Sequence, residues 1–281
     1  MYEIIENKSI GEGVNIYKIN APDIAAKALP GQFIIIRVHK KGERIPITIA
    51  ETDKNYGYIT ILVQTLGKTT HLLSEMQKGE KLSDVVGPLG IPSEIENFGT
   101  VVCIGGGFGI AAVHPIAKAL KNVGNYVISI TGARRKDLLL MENEMRNASS
   151  ELLIATDDGS YGTKGFVTDI LKKLIVDDKK NIDRVIAIGP VPMMKAVSDF
   201  TKKYDIKTIV SLNPIMIDGT GMCGACRVLV GGKTKFACVD GPDFDAHQVD
   251  FENLVNRQRF YKDEEKTSYE CHQKEHHKEH Q

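Results

Sequence analysis

The sequence predicts an antiparallel β domain, then an α/β domain with a doubly wound parallel sheet, and a small cysteine-rich segment behind both. Residues 1–97 contain short β-branched runs separated by glycine turns, whereas residues 98–212 alternate apolar strands with helical segments. Three of the five cysteines fall within one window of sixteen residues. The 281 residues accommodate roughly two domains of about 150 residues each.

The β domain is predicted from runs at residues 33–38, 45–50 and 58–63, with turn signals such as Gly31 and Gly57 between them. Short strands at this spacing are typical of an antiparallel barrel or sandwich. One helix is predicted in this region, at residues 69–76.

The α/β domain begins with an apolar strand, a glycine turn and a helix at residues 101–104, 105–109 and 110–123. Alternating strands and helices favour a parallel doubly wound sheet. The further strands are predicted at residues 126–130, 152–155, 184–188 and 208–211, and the further helices around Glu142 and at residues 167–174 and 193–202.

Charge and cysteine use limit the class of protein. Lys and Arg number 36 and Asp and Glu number 36, so no net charge draws the chain to nucleic acid or to an anionic membrane. The longest apolar run, at residues 101–113, is shorter than the roughly 20 residues of a membrane-spanning helix. Clustered cysteines and no recognisable signal peptide predict a reducing compartment. We therefore expect a soluble cytoplasmic protein.

The last segment, residues 261–281, is predicted to be a disordered tail. Four of the eight histidines lie there among six acidic residues and four lysines, and almost nothing is apolar. Such a composition cannot bury enough apolar surface to order the chain.

The glycine turn is a candidate nucleotide-binding site, formed by Gly106, Gly107, Gly109 and Ile110. Backbone amides at a helix N-terminus after a strand can hold a pyrophosphate. A turn that only lets the helix pack against the strand is the alternative. Further candidates lie near the carboxyl ends of neighbouring strands: Arg134, Asp157, Asp158, Gly189, Pro190 and Met193. Arg134 and Arg135 stand where many dinucleotide folds have an acid, so the choice between NAD and NADP stays open.

Two patterns in the β domain suit phosphate groups. Arg44 begins the run Arg-Ile-Pro-Ile-Thr, and Gly67 precedes Thr69 and Thr70 where the predicted helix starts. A guanidinium pairs with phosphate through two hydrogen bonds, and a helix start offers free amides. Each pattern alone is typical of plain structure, and only their presence ahead of a nucleotide fold makes them candidates.

The strongest motif is Asp218, Cys223, Cys226 and Cys238, with the spacing D-x4-C-x2-C-x11-C. This is the plant-type [2Fe–2S] pattern with its first thiolate replaced by a carboxylate. The alternative is structural zinc on the three cysteines, with His247 or Asp218 as the fourth ligand. No Ser/His/Asp or paired-carboxylate pattern supports a hydrolase.

Together these motifs resemble the ferredoxin-NADP reductase superfamily, in its branch with a C-terminal [2Fe–2S] segment. Residues 44–48 look like the flavin phosphate motif, residues 105–112 like the nicotinamide nucleotide turn, and residues 189–193 like the nicotinamide-site motif. Residues 211–227, with an aspartate ligand, resemble the small subunit of NADH-dependent reduced ferredoxin:NADP oxidoreductase. The related electron-transfer subunit of dihydroorotate dehydrogenase has four cysteines. Ile188 departs from the superfamily, which often has cysteine before Gly-Pro.

The resemblance implies an FAD-binding barrel at residues 1–97, an NAD(H)-binding domain at 98–212 and a [2Fe–2S] segment at 213–260. The implied FAD residues are Arg44, Pro46, Ile47, Thr48, Leu62, Val63, Gln64, Gly67, Thr69 and Thr70. The implied function is electron transfer between NAD(H), FAD and the cluster in an electron-bifurcating complex.

The same resemblance implies a heterodimer with a larger subunit that carries another flavin and [4Fe–4S] clusters, where ferredoxin and NADP(H) react. The alternatives are the electron-transfer subunit of dihydroorotate dehydrogenase or of sulfide dehydrogenase. A third alternative, from another class, is a nucleotide-binding protein with structural zinc and no turnover.

Overall fold

The computed structural model describes the backbone of residues 2–279 and the side chains of residues 2–274. The β domain contains the following elements: β1 (Tyr2–Gly11), β2 (Val14–Asn20), α1 (Pro22–Lys27), β3 (Phe33–Arg37), β4 (Arg44–Thr48), β5 (Glu51–Asp53), β6 (Tyr58–Gln64), α2 (Lys68–Glu75), β7 (Lys81–Leu82) and β8 (Asp84–Leu89).

The strands of the β domain form two antiparallel sheets around one core. The sheets have the orders β5-β6-β2-β1-β7 and β4-β3-β8, and their apolar faces meet at residues such as Tyr17, Ile36 and Ile61. The predicted antiparallel domain is therefore confirmed, and so is its helix, as α2. Helix α1 was not predicted, because six residues are too few to display helical periodicity.

The remaining elements are β9 (Thr100–Gly106), α3 (Ile110–Asn122), β10 (Tyr126–Ala133), α4 (Glu142–Ala148), β11 (Glu151–Thr156), β12 (Thr163–Lys164), α5 (Val167–Lys172), β13 (Arg184–Ile188), α6 (Val191–Lys202), β14 (Thr208–Ser211), β15 (Arg227–Val230), β16 (Lys233–Phe236), α7 (Ala237–Asp240), β17 (Asp243–Asp245), α8 (Phe251–Gln258) and α9 (Lys262–Glu279). A π-helical turn, Lys173–Asp177, extends α5, and 3₁₀ turns cover Gly107–Gly109, Lys136–Leu138 and Ala246–Gln248.

The α/β domain is built on one sheet with the order β12-β11-β10-β9-β13-β14-β17. Strands β9 to β14 pair in parallel, which confirms the predicted doubly wound sheet. Alternating residues of β9 face opposite layers of helices. Cys103 packs with α3 and α4, whereas Ile104 packs with α5 and α6. The boundary between residues 97 and 98 lies in the connection from β8 to β9.

The cysteine-rich segment is built into the α/β domain. Its strand β17 pairs antiparallel with β14 and so forms the edge of the sheet. Phe244, Phe251 and Leu254 are buried in the same core as the sheet residue Val210 and helix α6. The sheet therefore needs residues from the segment to cover its last parallel strand.

The C-terminal tail differs from the expectation of disorder, because α9 is helical over most of residues 261–281. Lysine and glutamate are good helix formers, and the helix packs against α2. His272 is buried, and its ring lies 5.3 Å from the ring of His71 in an edge-on arrangement. These contacts order a segment that its composition alone would leave unfolded.

Among the described residues, no helix has both the length and the apolar character required to cross a membrane.

We expect Phe244→Ala to destabilise the whole α/β domain, because its ring is 8% exposed in the shared core and its strand covers β14. Emptying such a site costs about 3–5 kcal/mol of unfolding free energy. Urea denaturation followed by circular dichroism measures the loss. Phe166→Ala, at an exposed phenylalanine, is the control and changes stability by less than about 0.5 kcal/mol. Equal effects of the two substitutions would contradict the role of Phe244.

Candidate functional site

Strand β4 carries the candidate flavin motif on one face. Ile45 and Ile47 pack towards the core of the β domain. Successive side chains of a strand point to opposite sides, so Arg44, Pro46 and Thr48 share the outer face. The structure thus separates Ile47 from the other candidates, because its side chain packs on the core and only its backbone remains for a ligand.

A row of charges crosses this outer face. Arg37 of β3 lies opposite Arg44 of β4 on one side and opposite Asp84 of β8 on the other. Both guanidinium groups approach the Asp84 carboxylate, with N to O distances of 3.8 Å from Arg37 and 3.7 Å from Arg44. Asp84 therefore holds two cations on the surface of the sheet.

The start of α2 lies next to this row. Thr69 donates a hydrogen bond to Glu43, the residue before β4, at 2.8 Å. Thr70 accepts hydrogen bonds from the amides of Leu66 and Gly67. The hydroxyl of Thr70 is thus used to cap the helix, and the first amides of the helix, which have no intrahelical acceptor, are free to hold an anion.

The candidates on β6 have different surroundings. Val63 is buried in the core of the β domain, and Leu62 is buried where this domain meets Ala111 of α3. Gln64, at the end of the strand, is partly exposed. Only Gln64 of the three has a side chain outside the apolar packing.

The candidate nucleotide turn lies where the order of the parallel strands reverses. Strand β9 is followed in sequence by β10 on one side, whereas its other neighbour is β13, so the loops after β9 and β13 flank a crevice. Ligands of open α/β sheets bind at such a switch point. Gly106 and Gly189 touch there, since a Cβ on Gly189 would lie 3.0 Å from the Gly106 carbonyl oxygen.

Most glycines of the turn are needed for packing. A Cβ on Gly106 would strike Met193, and a Cβ on Gly109 would strike the Ile188 carbonyl. Gly107 is different, because it has a φ of +51° and open space where its Cβ would be. Ile110, the first residue of α3, has a fully buried side chain, so only its backbone is available to a ligand. The packing alternative thus explains Gly106 and Gly109, and leaves Gly107 as the glycine that packing does not require.

The remaining nucleotide candidates lie at the carboxyl ends of β10 and β11. The amides of Asp157 and Asp158 donate hydrogen bonds to the carbonyls of Ala133 and Arg134, which ties the two loops together. Hydrogen bonds from Ser160 lower the pKa of the exposed Asp158. Arg134 is exposed beside Arg135, which pairs with Asp137 at 3.0 Å.

A β-hairpin brings two of the predicted cluster ligands together. Arg227 pairs with Phe236 at the open end of β15 and β16, and the tight turn is Gly231-Gly232, both with positive φ. A two-residue turn of this kind fixes the register of a hairpin. Cys226 and Cys238 flank the paired ends, and their sulfur atoms lie 3.1 Å apart.

Both cysteines of this pair are buried, and burial beside the Cys226 sulfur raises the pKa of Cys238 to about 12. Cys223 is exposed on the preceding loop. That loop contains Gly219, Gly221 and Gly224, all with positive φ, a conformation that other residues rarely adopt. The glycines thus permit the sharp path between Asp218 and Cys226.

The donors fit a [2Fe–2S] cluster. Each iron of such a cluster takes two protein ligands, and Cys226 and Cys238 form one close pair of thiols. His247, one candidate for the fourth ligand of the zinc alternative, has its ring nitrogen Nε2 3.1 Å from the Thr201 hydroxyl of α6.

The fourth described cysteine of the fold proper, Cys103, is buried in its strand, and burial raises the pKa of its thiol to about 12.

The cluster loop lies on the outer face of the β4-β3-β8 sheet, the same face that carries Arg44. A Cβ on Gly219 would come within 2.7 Å of Ile35 and Leu89. The Asp218 carboxylate has Arg44 Nη1 at 3.8 Å and also accepts a hydrogen bond from Thr220. The candidate flavin and cluster residues are therefore direct neighbours.

Asp84 and Thr220 were not predicted as site residues. Thr220 stands two residues after Asp218, and its hydroxyl donates a hydrogen bond to the Asp218 carboxylate. Asp84 of β8 lies near Arg44 of β4 only because both strands pair with β3, which stands between them. No local pattern indicates that contact.

Two protein families match parts of this chain. Residues 1–92 match the oxidoreductase FAD-binding domain, and residues 213–250 match the iron–sulfur cluster binding domain of dihydroorotate dehydrogenase B. The fold and the site thus define an FAD-binding oxidoreductase with an iron–sulfur domain.

Whole-chain relatives extend this match. A Thermotoga maritima protein, a homolog of the electron transfer subunit of dihydroorotate dehydrogenase B (NAD(+)), is 50% identical over 95% of this chain and 94% of its own length. That electron transfer subunit in Fusobacterium nucleatum is 33% identical over 88% of this chain and 96% of its own. The chain belongs to the family of dihydroorotate dehydrogenase B electron-transfer subunits and their homologues.

One solved structure covers nearly the whole fold. It comes from work on flavin-based electron bifurcation in an NADH-dependent reduced ferredoxin-NADP oxidoreductase. The two chains superpose with a TM-score of 0.91 at 47% identity, over 96% of this chain and 97% of the other.

We expect Gly109→Ala and Gly107→Ala to differ in their effect on stability. The methyl group on residue 109 collides with the rigid Ile188 backbone, so the free energy of unfolding falls by about 3 kcal/mol, as for strong overpacking. At residue 107 the methyl group meets no other atom, so only the positive φ lowers the free energy of unfolding, by about 1 kcal/mol. Chemical denaturation measures both. A Gly107→Ala variant as unstable as Gly109→Ala would show that residue 107 is also packed.

Proposed function

We propose that this chain is the electron-transfer subunit of an electron-bifurcating NADH-dependent reduced ferredoxin:NADP oxidoreductase. The observation that carries the proposal is the cluster motif, in which Asp218 stands beside three cysteines on a fold that matches a structure of that enzyme over nearly its full length. The cofactors of the proposal are FAD, a [2Fe–2S] cluster and NAD(H).

Each site contributes binding and orientation. Gly107 and the neighbouring amides at the start of α3 hold the nucleotide pyrophosphate, and Gly189 and Pro190 border the nicotinamide. Arg44, Thr48 and the α2 amides hold the FAD phosphates. Bound FAD would supply hydride chemistry with NADH and one-electron exchange with a [2Fe–2S] cluster.

The cluster ligands supply two kinds of donor. Cys226 and Cys238 are rigid because they are buried at the end of a hairpin, whereas Cys223 is exposed. Asp218 offers a hard oxygen ligand in place of a polarisable thiolate. This chain therefore positions the cluster at the edge of the FAD site and sets its electronic environment.

A larger subunit is part of the proposal. The relatives are named electron transfer subunits, which implies a partner that uses the electrons. We propose a heterodimer in which the partner carries another flavin and [4Fe–4S] clusters and reacts with ferredoxin and NADP(H). A second candidate is the electron-transfer subunit of dihydroorotate dehydrogenase, favoured by the match at residues 213–250. The identity of the co-purifying subunit separates the two.

We expect the chain purified without oxygen to show flavin absorption bands and about two iron atoms per chain. The measurements are the visible spectrum, the extracted flavin and the iron and zinc contents. Colourless protein with about one zinc atom would support the nucleotide-binding alternative and refute the proposal.

We expect Asp218→Cys to keep a cluster but to change its reduction potential, because a thiolate replaces a carboxylate oxygen as ligand. A redox titration followed by electron paramagnetic resonance gives the potential. The control is Asp137→Cys, which adds the same residue type beside Arg135 in the α/β domain. An Asp218→Cys variant with the wild-type potential would remove Asp218 from the ligands.

A further inference from the structure

The contact between Arg44 and Asp218 joins the FAD motif to a cluster ligand. Arg44 begins the flavin motif on β4, and its guanidinium lies between two carboxylates, 3.7 Å from Asp84 and 3.8 Å from Asp218. These groups are about one-third exposed, so water screens them only in part. The residues come from sequence positions 44, 84 and 218, and the packing of the cluster loop on the sheet brings them together.

We propose that Arg44 is a positioning residue for the cluster, which orients the Asp218 carboxylate and raises the reduction potential of the cluster that Asp218 holds. The inference rests on the proposed function, because it requires that Asp218 is a cluster ligand. It adds a role for a residue otherwise assigned only to the FAD phosphates.

The orientation follows from the contacts of the two carboxylate oxygens, one an ion pair and the other a hydrogen bond. One oxygen of Asp218 faces the Arg44 guanidinium and the other accepts a hydrogen bond from Thr220. A carboxylate held at both oxygens keeps one rotamer, and groups that hold a ligand in this way affect the metal site strongly. Arg44 is the group that acts on Asp218 from a different part of the fold.

The effect on potential follows from charge. Reduction adds one electron to the cluster and breaks no bond to the protein, so the reduced site carries one more negative charge. The guanidinium of Arg44 carries a positive charge. A fixed cation close to the site stabilises the more negative form, which shifts the potential to more positive values.

Asp84 acts in the opposite direction. Its carboxylate shares Arg44 and Arg37 and so offsets part of their positive charge. Arg37 forms an ion pair with Asp84 and none with Asp218. Arg44 is thus the arginine in contact with the proposed cluster ligand, and Arg37 is a nearby arginine that lacks this contact.

The test is a redox titration of the cluster by electron paramagnetic resonance, with dithionite as reductant, on the full chain with its cofactors. The variants are Arg44→Gln and Asp84→Asn. Arg37→Gln is the control for loss of a nearby charge. Thr48→Ala, on the same strand but without a charge to pair with Asp218, is the control for weakened FAD binding. FAD, iron and sulfide contents are measured on every sample.

We expect Arg44→Gln to lower the ratio of reduced to oxidised cluster at a fixed potential at least tenfold, which corresponds to about 59 mV for one electron. Asp84→Asn, which keeps Arg44, shifts the potential to more positive values. Arg37→Gln and Thr48→Ala shift it by less than a third of the Arg44→Gln effect. If Arg44→Gln does not assemble a cluster, the positive shift of Asp84→Asn decides the question.

The proposal is overturned if Arg44→Gln keeps the wild-type potential, if Arg37→Gln shifts it equally, or if Asp84→Asn leaves it unchanged. The proposal is also overturned if Thr48→Ala loses FAD and shifts the reduction potential as much as Arg44→Gln does. The shift would then come from the empty FAD site and not from the charge of Arg44. Wild-type protein without iron and sulfide would instead refute the proposed function itself.

Discussion

The burial of the cysteine-rich segment in the core of the α/β domain is the constraint on which the site depends. Cys226 and Cys238 are buried in the same core as the central strands, and β17 pairs with β14. A ligand pair fixed in a packed core cannot shift without disturbing the sheet, since protein interiors are close-packed. The position of these two thiols is therefore set by the same interactions that stabilise the parallel sheet.

This constraint also sets the distance between the cluster and the FAD motif. The loop that leads to Cys226 rests on the outer face of the β4-β3-β8 sheet, where glycine at position 219 permits close approach to Ile35 and Leu89. Arg44 lies on that face and reaches Asp218. Contacts between the loop and the sheet thus place the candidate FAD and cluster residues side by side.

The sequence predicted what depends on local patterns. The strand, glycine turn and helix around Gly107 and the ligand spacing at Cys223 to Cys238 are short-range signals, and the fold has the elements they predict. The pairing of Arg44 with Asp218 spans the whole fold and depends on packing that no local pattern contains. The tail shows the same limit, because its composition predicted disorder whereas contacts with α2 accompany a helix in α9.

The strand order has a consequence for how the protein is made. Because β17 follows all four proposed cluster ligands in the chain, a ribosome synthesises Asp218, Cys223, Cys226 and Cys238 before the strand that completes the sheet. The thiols thus emerge beside a sheet whose β14 edge is still open. The burial of Cys226 and Cys238 in the core that Phe244 of β17 shares is therefore completed only after these thiols have been synthesised.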